Sequence, residues 1–125
     1  MADTNSLWVK GIEIPTSSHP EIKKLKRKTK VQSLHGNKVW DTSMVMIDML
    51  DELGVINTKV LDLGCGWGAL THYLQKQGAD VTGMDGDKEV KPYFDLMSKL
   101  MDVEPNFILQ DIFKKPLPLD YDTYI

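Results

Sequence analysis

The chain has 125 residues, enough for one domain with a real core and too few for two ordinary ones. Its apolar and charged fractions, 42% and 26%, are those of a soluble globular protein, and a formal charge of −3 excludes a global pull toward nucleic acid or membrane. A lone cysteine, Cys65, excludes an internal disulfide, MADTNSLWVK lacks the apolar stretch of a secretory signal, and no apolar run approaches ~18 residues; a cytoplasmic protein without a membrane span is expected.

Residues 1–20 hold the turn formers of IPTSSHP and show no lasting period, so they read as an extended arm. In KKLKRKTK, residues 23–30, six of eight side chains are Lys or Arg, and Leu25 alone among them can reach a core. Like-charged blocks usually sit in water, which makes this a solvated surface segment. The sharper alternative is a dock for an acidic partner, RNA or an acidic protein patch, through Lys23 to Lys30. Residues 1–33 are therefore expected to form an arm with a basic segment ahead of a domain spanning 34–125.

Next comes DTSMVMIDMLDELG, where Asp41, Thr42 or Ser43 can cap a helix whose Met46, Met49, Leu50 and Leu53 follow the spacing i, i+3, i+4, i+7 and should face inward. Gly54 should end it. KVLDLG reads as a strand, and ALTHYLQKQG as a helix burying Leu70, Tyr73 and Leu74 before Gly78. ADVTGMD is a second strand. PYFDLMSKLM is a helix with Tyr93, Phe94, Met97, Leu100 and Met101 inward and Pro92 in its first turn, where a missing N–H is tolerated. NFILQD gives a third strand, and YDTYI starts like a fourth. Strands alternating with helices through short loops predict an α/β fold: a Rossmann-like parallel sheet flanked by helices, with its ligand beyond the strands' carboxyl ends.

At that end lies VLDLGCGWGALTHYL, residues 60–74. Gly64, Gly66 and Gly68 allow a tight turn and bring main chain close to a ligand. A dinucleotide satisfies the spacing: Gly64, Gly66 and Ala69 match G-x-G-x-x-A, and Asp85 lies about 20 residues on, where a ribose-binding acid belongs. Charge favours another ligand. A pyrophosphate needs a turn free of anions, whereas Asp62 stands two residues before Gly64 and Trp67 adds bulk. S-adenosylmethionine (SAM), with a cationic sulfonium and an ammonium group, has the opposite need. Asp62 also admits a purely structural role as a turn cap.

These residues resemble a known family. VLDLGCGWG looks like the first motif of the class I, seven-stranded, SAM-dependent methyltransferases; VTGMDGD, residues 81–87, resembles the second and FILQDIF, residues 107–113, the third. Three motifs in order, about 20–25 residues apart, are far more specific than a lone glycine loop. The preceding HGNKVWDTSMVMIDML is similar to the lead-in of protein-lysine methyltransferases and relatives of nicotinamide N-methyltransferase. The resemblance implies that Gly64, Cys65, Gly66 and Gly68 lie against the methionine part of SAM while Asp62 serves its ammonium end. It further implies that Asp85, followed by Gly86, accepts from the ribose hydroxyls, Asp111 meets the adenine amino group, Ile112 presses on the ring, and Trp40 helps close the pocket.

Cys65 has no base beside it to make it a nucleophile, and His19, His35 and His72 lack metal-ligand spacing. The family pattern continues with three more strands, so this sequence carries the cofactor-binding half and no nameable catalytic residue. The expected activity is methyl transfer from SAM to a protein or small-molecule nitrogen. The alternatives are a noncatalytic SAM-binding module and a nicotinamide-dependent oxidoreductase. If these 125 residues are the whole molecule, the fourth strand is an apolar edge that predicts self-association, as a homodimer or as aggregates; light scattering should give at least twice the chain mass, and a monodisperse monomer with protected amides at residues 121–125 would contradict it.

Overall fold

The computed structural model of the chain describes residues 5–29 and 46–125. Trp40, the capping candidates Asp41, Thr42 and Ser43, and Lys30 and His35 lie outside the described residues.

Ser6–Val9 (β1) and Ile12–Pro15 (β2) pair antiparallel, which replaces the expected extended arm with a hairpin. Its two-residue turn, Lys10 and Gly11, has φ of 49° and 82°, the doubly left-handed geometry that matches strand twist. Leu7 lies opposite Ile14 and Val9 opposite Ile12, giving one apolar face; Val9 and Ile14 are buried in the main core. Strands of four residues are too short to show a period in sequence. The basic segment is helix α1, Pro20–Thr29, which buries Ile22, partly buries Leu25, and leaves Lys23, Lys24, Arg27 and Lys28 exposed.

Residues 46–52 are helical (α2), and Gly54 closes the turn at φ 70°. The buried face of α2 differs from the expected one: Ile47 and Leu50 are inside, whereas Met46, Met49 and Leu53 are exposed. Ile47 and Leu50, one turn apart, join the core that Val9 and Ile14 of the hairpin also enter, and the exposed Lys10 ammonium bridges Asp48 and Asp51 of α2 at the surface.

The remaining strands are Lys59–Leu63 (β3), Asp80–Asp85 (β4), Asn106–Leu109 (β5) and Thr123–Tyr124 (β6). They form one parallel sheet in the order β5-β4-β3-β6. Ala69–Lys76 (α3) connects β3 to β4, and Lys91–Met101 (α4) connects β4 to β5, with Pro92 in its first turn as expected. Tyr93, Phe94, Met97 and Met101 are buried, with Leu100 partly so. β2 packs against both α3 and α4, so hairpin, helices and the inner strands Val60 and Val81 share one core. From β3 the chain moves to one side of the sheet and later returns on the other, which opens a crevice at the carboxyl end of β3. No described helix is long and apolar enough to cross a membrane.

Candidate functional site

Parallel register brings three acids to one edge. Leu63 pairs with Met84 and Asp85 with Leu109, so Asp62, Asp85 and Asp111 stand at the carboxyl ends of β3, β4 and β5 in adjacent positions. The chain leaves β3 through Gly64, Gly66 and Gly68, all left-handed with φ of 66°, 58° and 81°. A Cβ on Gly64 or Gly66 would meet open space, but one on Gly68 would lie 2.5 Å from the Phe94 ring and 2.9 Å from His72 Nδ1. Conformation selects glycine at all three positions, and space selects it again at Gly68.

The loop's N–H groups are largely spent within the protein. Cys65 N donates to the Met84 carbonyl (3.0 Å), Gly68 N to the Cys65 carbonyl (2.9 Å), and Gly66 N to Asp85 Oδ2 (3.0 Å). A diphosphate needs such donors free, so the loop is poorly suited to an anion. Asp85 Oδ1 also accepts from Asp87 N at 2.9 Å, and these two main-chain bonds fix the carboxylate's orientation. Each oxygen keeps a further lone pair for a ligand hydroxyl.

Asp62 is 7% exposed, and its Oδ2 accepts from Thr71 Oγ1 at 2.6 Å. Burial pushes its carboxyl up to about 6; the Thr71 bond opposes the rise and the charge of Asp85 adds to it. Two acids at the mouth of an acceptor-rich cradle create a demand for a cation. Beside them, Gly86 lets β4 approach β5: a Cβ there would lie 3.2 Å from Asp111 Cα. Asp111 Oδ1 accepts from Phe113 N at 2.8 Å, which shapes the turn that carries the exposed Ile112.

Cys65 packs beneath the loop, where a Cβ on Gly83 would come within 2.8 Å of its sulfur. Burial, with the charges of Asp62 and Asp85, pushes its thiol well up, so it stays protonated and unreactive.

Two buried polar side chains that support the loop escape sequence reasoning. Thr71 and His72 are fully buried on α3 although their neighbours in the apolar pattern are Leu70, Tyr73 and Leu74. His72 Nδ1 donates to the Gly68 carbonyl (2.5 Å), and its Nε2 accepts from Ser98 Oγ (2.6 Å), the tautomer a carbonyl partner requires. Burial lowers its pKa to about 4, so it is neutral and clasps the end of the glycine loop. The only advance signals were spacings: Thr71 nine residues after Asp62, His72 four after Gly68. Trp67, in the loop, stacks on Tyr93 with centroids 5.6 Å apart, and Lys26 of α1 sits 5.9 Å over its ring.

A groove of about 770 Å³ beside Asp95, Lys99, Asp102 and Glu104 lies where α4 ends and β5 begins, the sheet edge opposite the acids and glycines.

A family model described as Methyltransferase domain matches residues 60–124, which run from β3 into β6. The ubiquinone biosynthesis O-methyltransferase of Aliivibrio fischeri (strain MJ11) is 56% identical over 36 residues, 29% of this chain and 15% of that protein. Its counterpart in Cronobacter sakazakii is 37% identical over 59 residues, 47% of this chain and 24% of that protein. The match thus spans 15% to 24% of these relatives' length. Among solved structures, coclaurine N-methyltransferase bound to N-methylheliamine and S-adenosylhomocysteine is 31% identical with a TM-score of 0.56, covering 66% of this chain and 26% of that one. Magnesium protoporphyrin IX methyltransferase from Synechocystis, with bound SAM, shares the fold at 21% identity and a TM-score of 0.63, over 86% of this chain and 56% of that one.

Proposed function

The chain belongs to the methyltransferase-domain family, and from that premise we propose that it holds SAM at the glycine loop for methyl transfer to a protein or small-molecule nitrogen. The observation that carries this reading is Asp62: a buried carboxylate with an elevated pKa, next to a loop in which Cys65, Gly66 and Gly68 already donate within the protein, suits a cationic ligand and not a diphosphate. That same contrast disfavours a nicotinamide dinucleotide.

The residues fit SAM. Asp62 faces its positive charge, Gly64, Cys65, Gly66 and Gly68 line the amino-acid portion, and Asp85 offers two pre-oriented oxygens to the ribose hydroxyls. Asp111 accepts from the adenine amino group, the close approach at Gly86 keeps it near Asp85, and the exposed face of Ile112 covers the base. SAM supplies a methyl group already activated on a positive sulfur. The protein's part is to hold that group in line with an incoming nucleophile, an ordering that supplies on the order of 7 to 11 kcal/mol. Nitrogen as the acceptor atom is supported by the likeness of HGNKVWDTSMVMIDML to lysine and nicotinamide methyltransferases. The O-methyltransferase relatives match over 36 to 59 residues, too little to carry an acceptor site across.

Asp85→Ala is expected to weaken SAM binding by about 1–3 kcal/mol, the worth of hydrogen bonds to an ionised acceptor. Calorimetric titration reads this directly, and unchanged affinity would place the ribose elsewhere. Tritiated methyl transfer into cell extract tests the reaction; SAM binding without transfer would mark a noncatalytic binding module.

A further inference from the structure

The basic helix α1 is unused by the cofactor site, yet it is fastened to it. Thr29 Oγ1 bonds Tyr93 Oη at 2.6 Å, Tyr93 stacks on Trp67 of the glycine loop, and Lys26 caps the same indole. On the outer side of α1, a crevice of about 190 Å³ opens toward α4. Its floor is apolar, built by Leu25, Pro92 and Leu96, and its rim carries Lys24 and Lys28, one helical turn apart, with Glu21 at one end. A cavity of ~150 Å³ takes a benzene-sized group, so this crevice admits one branched aliphatic side chain with little room to spare.

Five of the ten α1 residues are cationic, one is acidic, and the chain as a whole carries −3, so the charge is concentrated here. Single-stranded RNA would want aromatic faces for its bases; the crevice offers aliphatic carbons between two ammonium groups. Resting on the proposed methyl transfer to a protein, we propose that the crevice between α1 and α4 docks an acidic segment of the acceptor protein. An aliphatic side chain of that segment enters the crevice, and flanking carboxylates meet Lys24 and Lys28.

The test is fluorescence anisotropy with three labelled probes and no SAM present. One is a synthetic twelve-residue peptide of Glu and Asp around a central Leu pair, the second replaces both Leu with Ser, and the third is single-stranded oligouridylate. The leucine peptide should bind the full chain best. Replacing its leucines, or making the Lys24→Glu/Lys28→Glu variant, should each weaken it roughly tenfold, whereas Lys23→Glu/Arg27→Glu, off the crevice rim, should change it less than about threefold. Tighter binding of the RNA, equal loss in both charge variants, or no peptide binding would each overturn the proposal. SAM titration of the same variants reports on the cofactor separately, and it should be unchanged in both.

Discussion

Gly68→Ala is expected to cost about 2–5 kcal/mol of folding stability, a large part of the ~5–15 kcal/mol that holds a typical domain together. A left-handed alanine contributes roughly 1–2 kcal/mol of that. The rest is overpacking, roughly 1–3 kcal/mol, because the new Cβ would sit 2.5 Å from the Phe94 ring. Phe94 cannot easily yield: it is 1% exposed and held between His72 and Phe107, at centroid distances of 4.5 and 4.9 Å. Gly64→Ala makes the control, since its Cβ meets nothing and only the backbone cost remains. Urea unfolding of the two variants should separate them by more than ~1 kcal/mol; equal losses would show that the ring moves aside.

Asp62→Asn should act in the opposite direction on stability while weakening SAM binding. Folding raises the Asp62 carboxyl from 3.8 to about 6, so the native state binds more protons than the unfolded chain between those values. Stability from this group is therefore lost as pH rises through that window, and above it the buried charge costs about 2–3 kcal/mol. An amide carries no such cost and keeps an oxygen to accept from Thr71. The unliganded variant should gain about 2–3 kcal/mol near pH 7.5, with no gain near pH 4, while its SAM binding falls. His72 runs the other way: folding lowers its pKa from 6.5 to about 4, so its contribution is present above the upper value and lost as pH falls toward the lower one. The two slopes offset in the wild type. In Asp62→Asn the His72 slope stands alone, and chemical denaturation across pH 4–6.5 should reveal a steady acid loss that the parent chain lacks.

What the sequence discloses and what it hides follow from range. Asp62, Gly64, Gly66, Gly68, Asp85 and Asp111 were legible because strand ends and glycine turns are written locally, and the parallel register then places them together. The hairpin was not, because Lys10 and Gly11 replace the usual Asn-Gly turn and each strand has only four residues. α2 misled for a related reason. Its methionines and Leu53 fit a helical stripe, but Ile47 and Leu50 are the residues that join the core, which they share with Val9 and Ile14 of the hairpin, far upstream in the chain. Thr71 and His72 were hidden for the same cause: a buried polar side chain is defined by what faces it, and Asp62, Gly68 and Ser98 come from three different elements.

The most direct test of a carboxylate-lined cradle for a cationic cofactor is the proton count of SAM binding. Calorimetric titration near pH 6, in buffers of differing ionisation enthalpy, should show one SAM per chain and release of about half a proton, as the ligand's charge draws Asp62 to its ionised form. Asp62→Asn should release none. Heat from NADH in place of SAM, or SAM binding with the same proton count in both proteins, would contradict the assignment of Asp62 to the cofactor's charge.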